Sequence, residues 1–269
     1  MISFDKCADL LSISEMKAAY FQRLVAPMDG MWDSGFTDPA PHWEIRLDGA
    51  SAGYYAANDE GALLQFYVRP SFEQDARTLF DHVIAQDALT QIVVSTIDPS
   101  VLSLCLDLQK EVTVHTYLYE LAAAVPAMHR DADGLDFRLV EKDELDRTIA
   151  FQQASLGGEH DLTAWLQGYS ANLIERKELF VLCRNEDWIG LGERRVSDSQ
   201  AGIADVGMMV IPSHRKNGWA TYILRLLVVM TEEEGRRAIC SATVENIASQ
   251  KAIERAGFVS RHRIMNVAL

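Results

Sequence analysis

What this 269-residue sequence lacks narrows the field before anything it contains does. Its four cysteines, Cys7, Cys105, Cys183 and Cys240, lie far apart, with no CxxC among them, so no zinc knuckle or disulfide framework is built from near neighbours. Each sits beside apolar residues and reads as a small core side chain. No HExxH occurs and the histidines are scattered, so no metal is expected. There is no GxGxxG and no GKS or GKT, which argues against the usual ways of holding NAD or ATP. No apolar run approaches the roughly 20 residues of a membrane helix, and the amino end, MISFDKCADL, carries Asp5 and Lys6 where a secretory leader would be apolar. A cytoplasmic protein with no membrane partner is the expectation.

Positive charge is also scarce. The net charge is −14, and residues 1–129 hold 7 Lys and Arg against 18 Asp and Glu, whereas residues 130–269 hold 18 against 21. Such a chain repels a phosphate backbone, so no nucleic-acid partner is expected. A cationic or amine-bearing acceptor meets no such barrier, and a solubilising surface accounts for the charge equally well.

Hydrophobic periodicity and turn residues give the order of elements. Leu10, Leu11, Ile13, Met16, Ala19, Tyr20 and Leu24 recur at helical spacing, so the first 30 residues read as helical; a Gly, Pro and Asp-rich loop follows from Asp29 to Pro41. Strands are expected at 43–47, 52–56, 63–68, 91–96 and 112–118, with helices at 76–84 and 101–108. The stretch 122–134 is small, polar or turn-forming and reads as a linker. Beyond it come a strand at 137–140, helices at 144–153 and 162–174, strands at 179–183, 188–193 and 204–211, a long helix at 219–234, a strand at 238–243, a short helix at 247–256 and a last extended stretch at 258–267.

The order of elements repeats. Phe66-Tyr-Val-Arg-Pro70 answers Met208-Met-Val-Ile-Pro212, each with a valine two residues before a proline at a strand end, and Thr96-Ile-Asp98 answers Val244-Glu-Asn246. Two α+β units with mixed sheets are expected, at 1–125 and 136–269.

The most informative stretch is Val210-Ile-Pro-Ser-His-Arg215-Lys-Asn-Gly218-Trp-Ala220, which leads straight into the long helix. A strand that turns and reopens as a helix presents backbone N–H groups lacking intrahelical partners to one small volume, where the positive end of the helix favours an anion such as a pyrophosphate. Gly218 permits close approach, Ala220 keeps the next turn small, and Arg215 or Lys216 adds charge at the rim.

This segment resembles the acetyl-CoA pyrophosphate loop of the GNAT superfamily, in which an Arg or Gln is followed by two residues, Gly, one residue, and Gly or Ala. Arg215, Gly218 and Ala220 match. A second match lies downstream, where Asn246-Ile-Ala-Ser249 and Ala256-Gly257-Phe258 resemble the family's Asn, Ser and Gly-Phe signature. The resemblance implies two GNAT-like α+β domains, each a twisted mixed sheet flanked by helices, with acetyl-CoA as acyl donor. It implies that backbone groups of Met208, Met209 and Val210 bond the pantetheine arm and that N–H groups of Lys216, Asn217, Gly218, Trp219, Ala220 and Thr221 hold the pyrophosphate. Asn246 would bond pantetheine, with Ser249 on the cofactor side of the following helix. Arg215 as a surface charge, Gly218 as a plain turn and Asn246 as an ordinary helix cap remain alternatives.

Family members often place a tyrosine four residues after that Ser, to protonate the leaving thiolate; this chain has Ile253, which has no proton to give. Two strand carboxylates, Glu193 and Asp205, are candidates for the base that takes the amine proton, and neither is singled out by spacing. Glu159 and His160 fall where relatives shape the acceptor pocket, and an ordinary exposed loop histidine is the alternative for His160. After Pro70 the first half reads Ser71-Phe-Glu-Gln-Asp-Ala76, with no glycine and with Glu73 and Asp75 where an anion would sit, so it is expected to be a degenerate copy without cofactor. Trp43, Tyr54, Tyr55, Phe66 and Tyr67 suit either a cleft wall or a buried sheet face.

Together these features point to an acetyltransferase acting on an amine of a small-molecule acceptor. A noncatalytic acyl-CoA-binding or regulatory module is the alternative favoured by Ile253, and a structural protein that kept only the fold is a third. Pairing of the Arg261–Val267 strand with a second copy in a homodimer is compatible with the sequence, which does not say whether that edge is free.

Overall fold

The computed structural model describes residues 1–86, 89–108, 110–122, 134–157 and 162–269. In chain order the elements are β1 (Ile2–Lys6), α1 (Ser14–Arg23), β2 (His42–Leu47), β3 (Ala50–Ala57), β4 (Ala62–Val68), α2 (Ala76–Ile84), β5 (Gln91–Ser95), α3 (Pro99–Leu106) and β6 (Val112–Leu121). They continue with β7 (Leu135–Leu139), α4 (Leu145–Leu156), α5 (Thr163–Glu175), β8 (Leu179–Arg184), β9 (Asp187–Val196), β10 (Ile203–Val210), α6 (Trp219–Glu233), β11 (Arg237–Thr243), α7 (Ile247–Arg255) and β12 (Phe258–Ala268). These gather into two compact units, one of Met1–Leu118 with Ser260–Leu269 and one of Tyr119–Val259.

The first unit carries strands in the order β1-β2-β3-β4-β5-β12-β6, with β4–β5 parallel and β1–β2, β2–β3, β3–β4 and β5–β12 antiparallel. β12 thus has a neighbour on each side, so the Arg261–Val267 strand is not the free edge that pairing with a second copy requires. The β2–β3 hairpin turns on Asp48 and Gly49, both at positive φ (51° and 82°), the two-residue turn whose twist suits a hairpin. One sheet face buries Phe80 and Val83 of α2 with Val101 of α3; the other buries Met16 and Tyr20 of α1. Tyr54, Tyr55, Phe66 and Tyr67 are buried in these faces and Trp43 is half-buried, so packing is their main use.

The amino end departs from the helical expectation. Ile2-Ser-Phe-Asp-Lys6 is an edge strand on β2, with Ile2 and Phe4 alternating onto the core, and the helix is confined to Ser14–Arg23. The loop expected after Asp29 contains a π-helical turn, Met31–Thr37, closed by Asp38 N–H donating to Asp33 O at 2.9 Å. Most of the expected linker, residues 123–133, lies outside the described residues, as do Glu159 and His160.

The final ten residues pack with the first unit, although they follow the second half in sequence. The cause is register: β12 runs antiparallel to β5 from Ile264 opposite Ser95 to Ala268 opposite Gln91. Ser95 Oγ donates to Arg263 O at 2.8 Å, and Leu269 N–H donates to Thr90 O at 3.1 Å.

The second unit orders its strands β7-β8-β9-β10-β11, again antiparallel except for the last pair. α4 and α5 cover one face through Phe151, Leu173 and Ile174. α6 covers the other, and it comes close because β9 offers glycine there: a Cβ at Gly190 would lie 2.6 Å from Ile223 Cδ1 and 2.7 Å from Met209 O, and one at Gly192 would lie 2.8 Å from Ile223 Cγ2. Cys105, Cys183 and Cys240 are buried and Cys7 half-buried, with no disulfide among the four; burial pushes the Cys105 thiol up to about 12.

Gly190→Ala is expected to destabilise the protein by about 1–3 kcal/mol, because its methyl group must displace α6 or the β10 backbone. Denaturant unfolding measures this, and a loss within a few tenths of a kcal/mol would show that the approach is not tight.

Candidate functional site

In the second unit β10 and β11 pair in parallel over only three positions, Ile203↔Arg237, Ala204↔Ala238 and Asp205↔Ile239. On its other side β10 stays paired with β9 as far as Val210↔Gly190. The pair therefore opens as a fork, one tine running to Val210 and the other to Thr243. Alternation decides what the fork exposes. Ile211 N–H donates to Ile189 O at 3.2 Å, so by register Met209 exchanges its backbone bonds with Leu191 on β9, while Met208 and Val210 turn theirs toward the fork. Of the three residues singled out in the sequence, the fork thus receives the N–H and C=O of Met208 and the N–H of Val210, and Met209 packs its side chain toward the α4 and α5 core.

At the end of the β10 tine a 3-10 turn, Pro212–His214, leads to Arg215, Lys216, Asn217 and Gly218, all exposed. Lys216 and Gly218 have positive φ (63° and 78°), and Asn217 between them does not. Successive backbone groups of alternating hand form a concave nest of N–H donors, here continuous with the first turn of α6. Gly218 is the N-cap of α6, whose first turn holds no acidic residue, and the first bond back into the cap is Tyr222 N–H to Gly218 O at 3.1 Å. A pyrophosphate fits this cradle.

Several side chains here brace the loop. Arg215 Nε donates to Val210 O at 3.0 Å and its Nη2 to Ser155 O at the end of α4, tying the turn to its strand and helix. Asn217 Nδ2 donates to His214 O at 3.3 Å. Trp219 is buried and stacks edge-on against Tyr222, and Thr221 Oγ1 donates to Ala252 O at 3.2 Å, so what these two can offer the nest is backbone. Ala220 is half-buried between them.

The other tine ends at the start of α7. Asn246 caps that helix, its Oδ1 accepting from Ser249 N–H at 3.1 Å, which leaves the exposed Asn246 amide Nδ2 as a neutral donor. Ile253 is 1 % exposed, so the place where a proton-donating tyrosine is expected is packed into the interior.

The two carboxylates turn out unequal. Glu193, Arg195, Asp205, Gly207 and Met209 share the face covered by α4 and α5. Asp205 is 2 % exposed and its Oδ1 lies 3.1 Å from Arg195 Nη2. The Glu193 side chain is 15 % exposed, and its Oε2 accepts from Tyr169 Oη at 2.6 Å and from Arg195 Nη1 at 3.0 Å. Arg195 Nη1 also donates to Tyr169 Oη at 2.7 Å, closing a network that sequence reasoning missed. Burial, and then the adjacent Glu193 carboxylate, hold the Tyr169 phenol far above its usual range, so it remains a hydrogen-bond donor. Opposite Glu193 stands Gly207, where a Cβ would lie 3.6 Å from Glu193 Oε2; this glycine leaves space beside the carboxylate, one residue before Met208.

Among the described residues no group of three or more His, Cys, Asp or Glu could hold a metal ion, and no helix is long and apolar enough to cross a membrane.

Comparison with known proteins agrees with this geometry. The acetyltransferase (GNAT) domain family matches the chain twice, over residues 9–121 and 125–259. An acetyltransferase of the GNAT family from Colwellia psychrerythraea is 32 % identical, with a TM-score of 0.91, over 99 % of each chain. A GCN5-related N-acetyltransferase from Sphaerobacter thermophilus (14 % identity, TM-score 0.64, 98 % of this chain and 94 % of that one) shares the fold. So does a tandem GNAT protein from the clavulanic acid biosynthesis pathway (13 % identity, TM-score 0.64, 99 % and 97 %). No curated protein matches the sequence. The chain belongs to the GNAT acetyltransferase family and carries two of its domains in tandem, each a mixed β-sheet flanked by helices. The activity general to that class is acetyl-CoA-dependent transfer.

The contrast between the carboxylates is open to measurement. Asp205→Ala breaks a buried pair and is expected to cost about 3–5 kcal/mol in urea unfolding, whereas Glu193→Gln is expected to stay within about 1 kcal/mol of the parent. Equal losses would mean that Glu193 is as structural as Asp205.

Proposed function

We propose that the second unit transfers an acetyl group from acetyl-CoA to an amine of a small-molecule acceptor. The single observation that carries this reading is the β10–β11 fork, with a nest of N–H donors at one tine and the neutral Asn246 amide at the other. The donor supplies an acetyl group activated as a thioester. The N–H and C=O of Met208 and the N–H of Val210 hold an extended amide-bearing arm as an added strand would be held, the Lys216–Thr221 turn holds the pyrophosphate, and Arg215 keeps that turn in place through the Val210 carbonyl. Glu193 is the base: both of its donors go to Oε2, which leaves Oε1 to receive the proton of an acceptor amine as that amine attacks the thioester carbonyl directly, the C–S bond breaks and coenzyme A leaves as its thiolate, protonated by water. Arg195 and Tyr169 hold Glu193 in position, and Asp205 holds Arg195. The acidic balance of the chain suits an amine-bearing acceptor.

The first unit is, on this reading, a degenerate copy. No residue between Arg69 and Ala76 has positive φ, so the turn before α2 makes no nest, and Glu73 lies where the anion would be. A noncatalytic acyl-CoA-binding module is the second reading, supported by the buried Ile253.

Calorimetric titration with acetyl-CoA is expected to give one micromolar site per chain, removed by Gly218→Val. Turnover across a panel of small amines is expected to fall by about 10²–10⁴-fold in Glu193→Gln, with coenzyme affinity retained. Coenzyme binding without turnover on any amine would favour the binding module; no binding at all would leave only the fold.

A further inference from the structure

The first unit has the same fork, and the chain itself fills it. β4 and β5 pair over Ala62↔Gln91 and Leu63↔Ile92, then part. Arg69 N–H donates to Ala52 O at 2.8 Å, so by alternation Phe66 and Val68 turn their backbone groups away from β3 and toward the opening. Arg23, the last residue of α1, reaches in. Its Nη2 donates to Phe66 O at 2.9 Å and to Asp98 Oδ2 at 3.0 Å, and its guanidinium carbon lies 5.3 Å and 5.0 Å from the ring centroids of Tyr20 and Tyr67. Two residues on, Val25 N–H donates to Ile97 O at 3.0 Å, closing the far tine. What remains is a cavity of about 20 Å³, room for one water.

The residues involved are counterparts of those at the other fork. Phe66 answers Met208, and Asp98 answers Asn246. Asp98 caps α3 as Asn246 caps α7, its Oδ1 accepting from Val101 N–H at 3.3 Å. Once the cap is made, Asn246 has a neutral N–H donor left over. Asp98 instead has a carboxylate oxygen left over at a site 4 % exposed, where an uncompensated charge is strongly disfavoured. A guanidinium matches all three features of the place: a carbonyl and a carboxylate oxygen to receive its N–H groups, and aromatic faces for its plane.

We propose that the fork of the first unit is a guanidinium site whose resident ligand is Arg23, held where the second unit's fork takes the cofactor arm. This rests on reading the first unit as a copy without cofactor. It implies that truncating Arg23 leaves a site for a small free alkylguanidinium.

Arg23→Ala in the full chain is expected to lower Tm by about 5–10 °C. Low-millimolar ethylguanidinium is expected to recover much of that loss with saturation, while ethylammonium or sodium chloride at equal ionic strength is not. Adding Asp98→Asn to Arg23→Ala should abolish the response. Should Arg23→Ala not fold, Asp98→Asn and the pair Arg23→Met with Asp98→Asn remain: the double variant is expected to melt higher than Asp98→Asn alone, because the stranded cation has gone. No selective rescue, or a double variant that melts no higher than Asp98→Asn alone, overturns the guanidinium site. The reading of the first unit fails separately, if the parent chain binds two equivalents of acetyl-CoA.

Discussion

A parallel strand pair that ends after three positions is the constraint on which the second unit's site depends. While β10 and β11 are paired, their backbone groups satisfy one another; past Asp205 and Ile239 they do not, and the N–H and C=O of Met208 and the N–H of Val210 face a gap, the Val210 carbonyl being taken by Arg215. A sheet interior seldom leaves such groups without partners, so the opening is a demand for an extended, hydrogen-bonding occupant. Everything nearby answers to it. The nest and the start of α6 stand at the end of one tine, the cap of α7 at the end of the other, and Glu193 lies on the covered face one register position before Met208.

On the readings proposed above, little separates a site for a neutral arm from a site for a cation. Both end in a residue whose side-chain oxygen caps the following helix, and both turn strand carbonyls inward. The second group of the capping side chain differs: an amide nitrogen in Asn246, a carboxylate oxygen in Asp98. Burial amplifies that difference, because a carboxylate removed from water needs a counter-ion and an amide does not. Arg23 and Asp98 are therefore best understood as one unit of structure, as are Arg195 and Asp205 in the other domain.

Much of this was legible in the sequence wherever the signal is local. Turn chemistry at Asp48-Gly49, the apolar stripe of α6 and the Arg215 to Ala220 loop all depend on near neighbours. The alternation of Ile2 and Phe4 was equally local, yet it was outweighed by the helical spacing that begins at Leu10. The π-helical turn at Met31–Thr37 has no comparable pattern. What sequence leaves open is long-range pairing. Met209 looks as apt as Met208 until the β9 register fixes which amides face the gap. Glu193 and Asp205 look equivalent until Arg195, facing Asp205 across the ladder, takes Asp205 out of reach; the spacing of Arg195 two residues beyond Glu193 hinted at a shared face, whereas nothing in the chain marked Tyr169, contributed by a helix 24 residues earlier.

The return of the last strand has a temporal side. The second unit is one continuous stretch, Tyr119–Val259, but the sheet of the first lacks β12 until residues near the carboxyl end have been made. During synthesis the first unit therefore waits for Ser260–Leu269, and the edge of β5 stays uncovered while the whole of Tyr119–Val259 is translated. The open edge of β5 is the kind of unpaired strand on which chains associate, so the interval before those residues appear is when the first unit is exposed to mispairing.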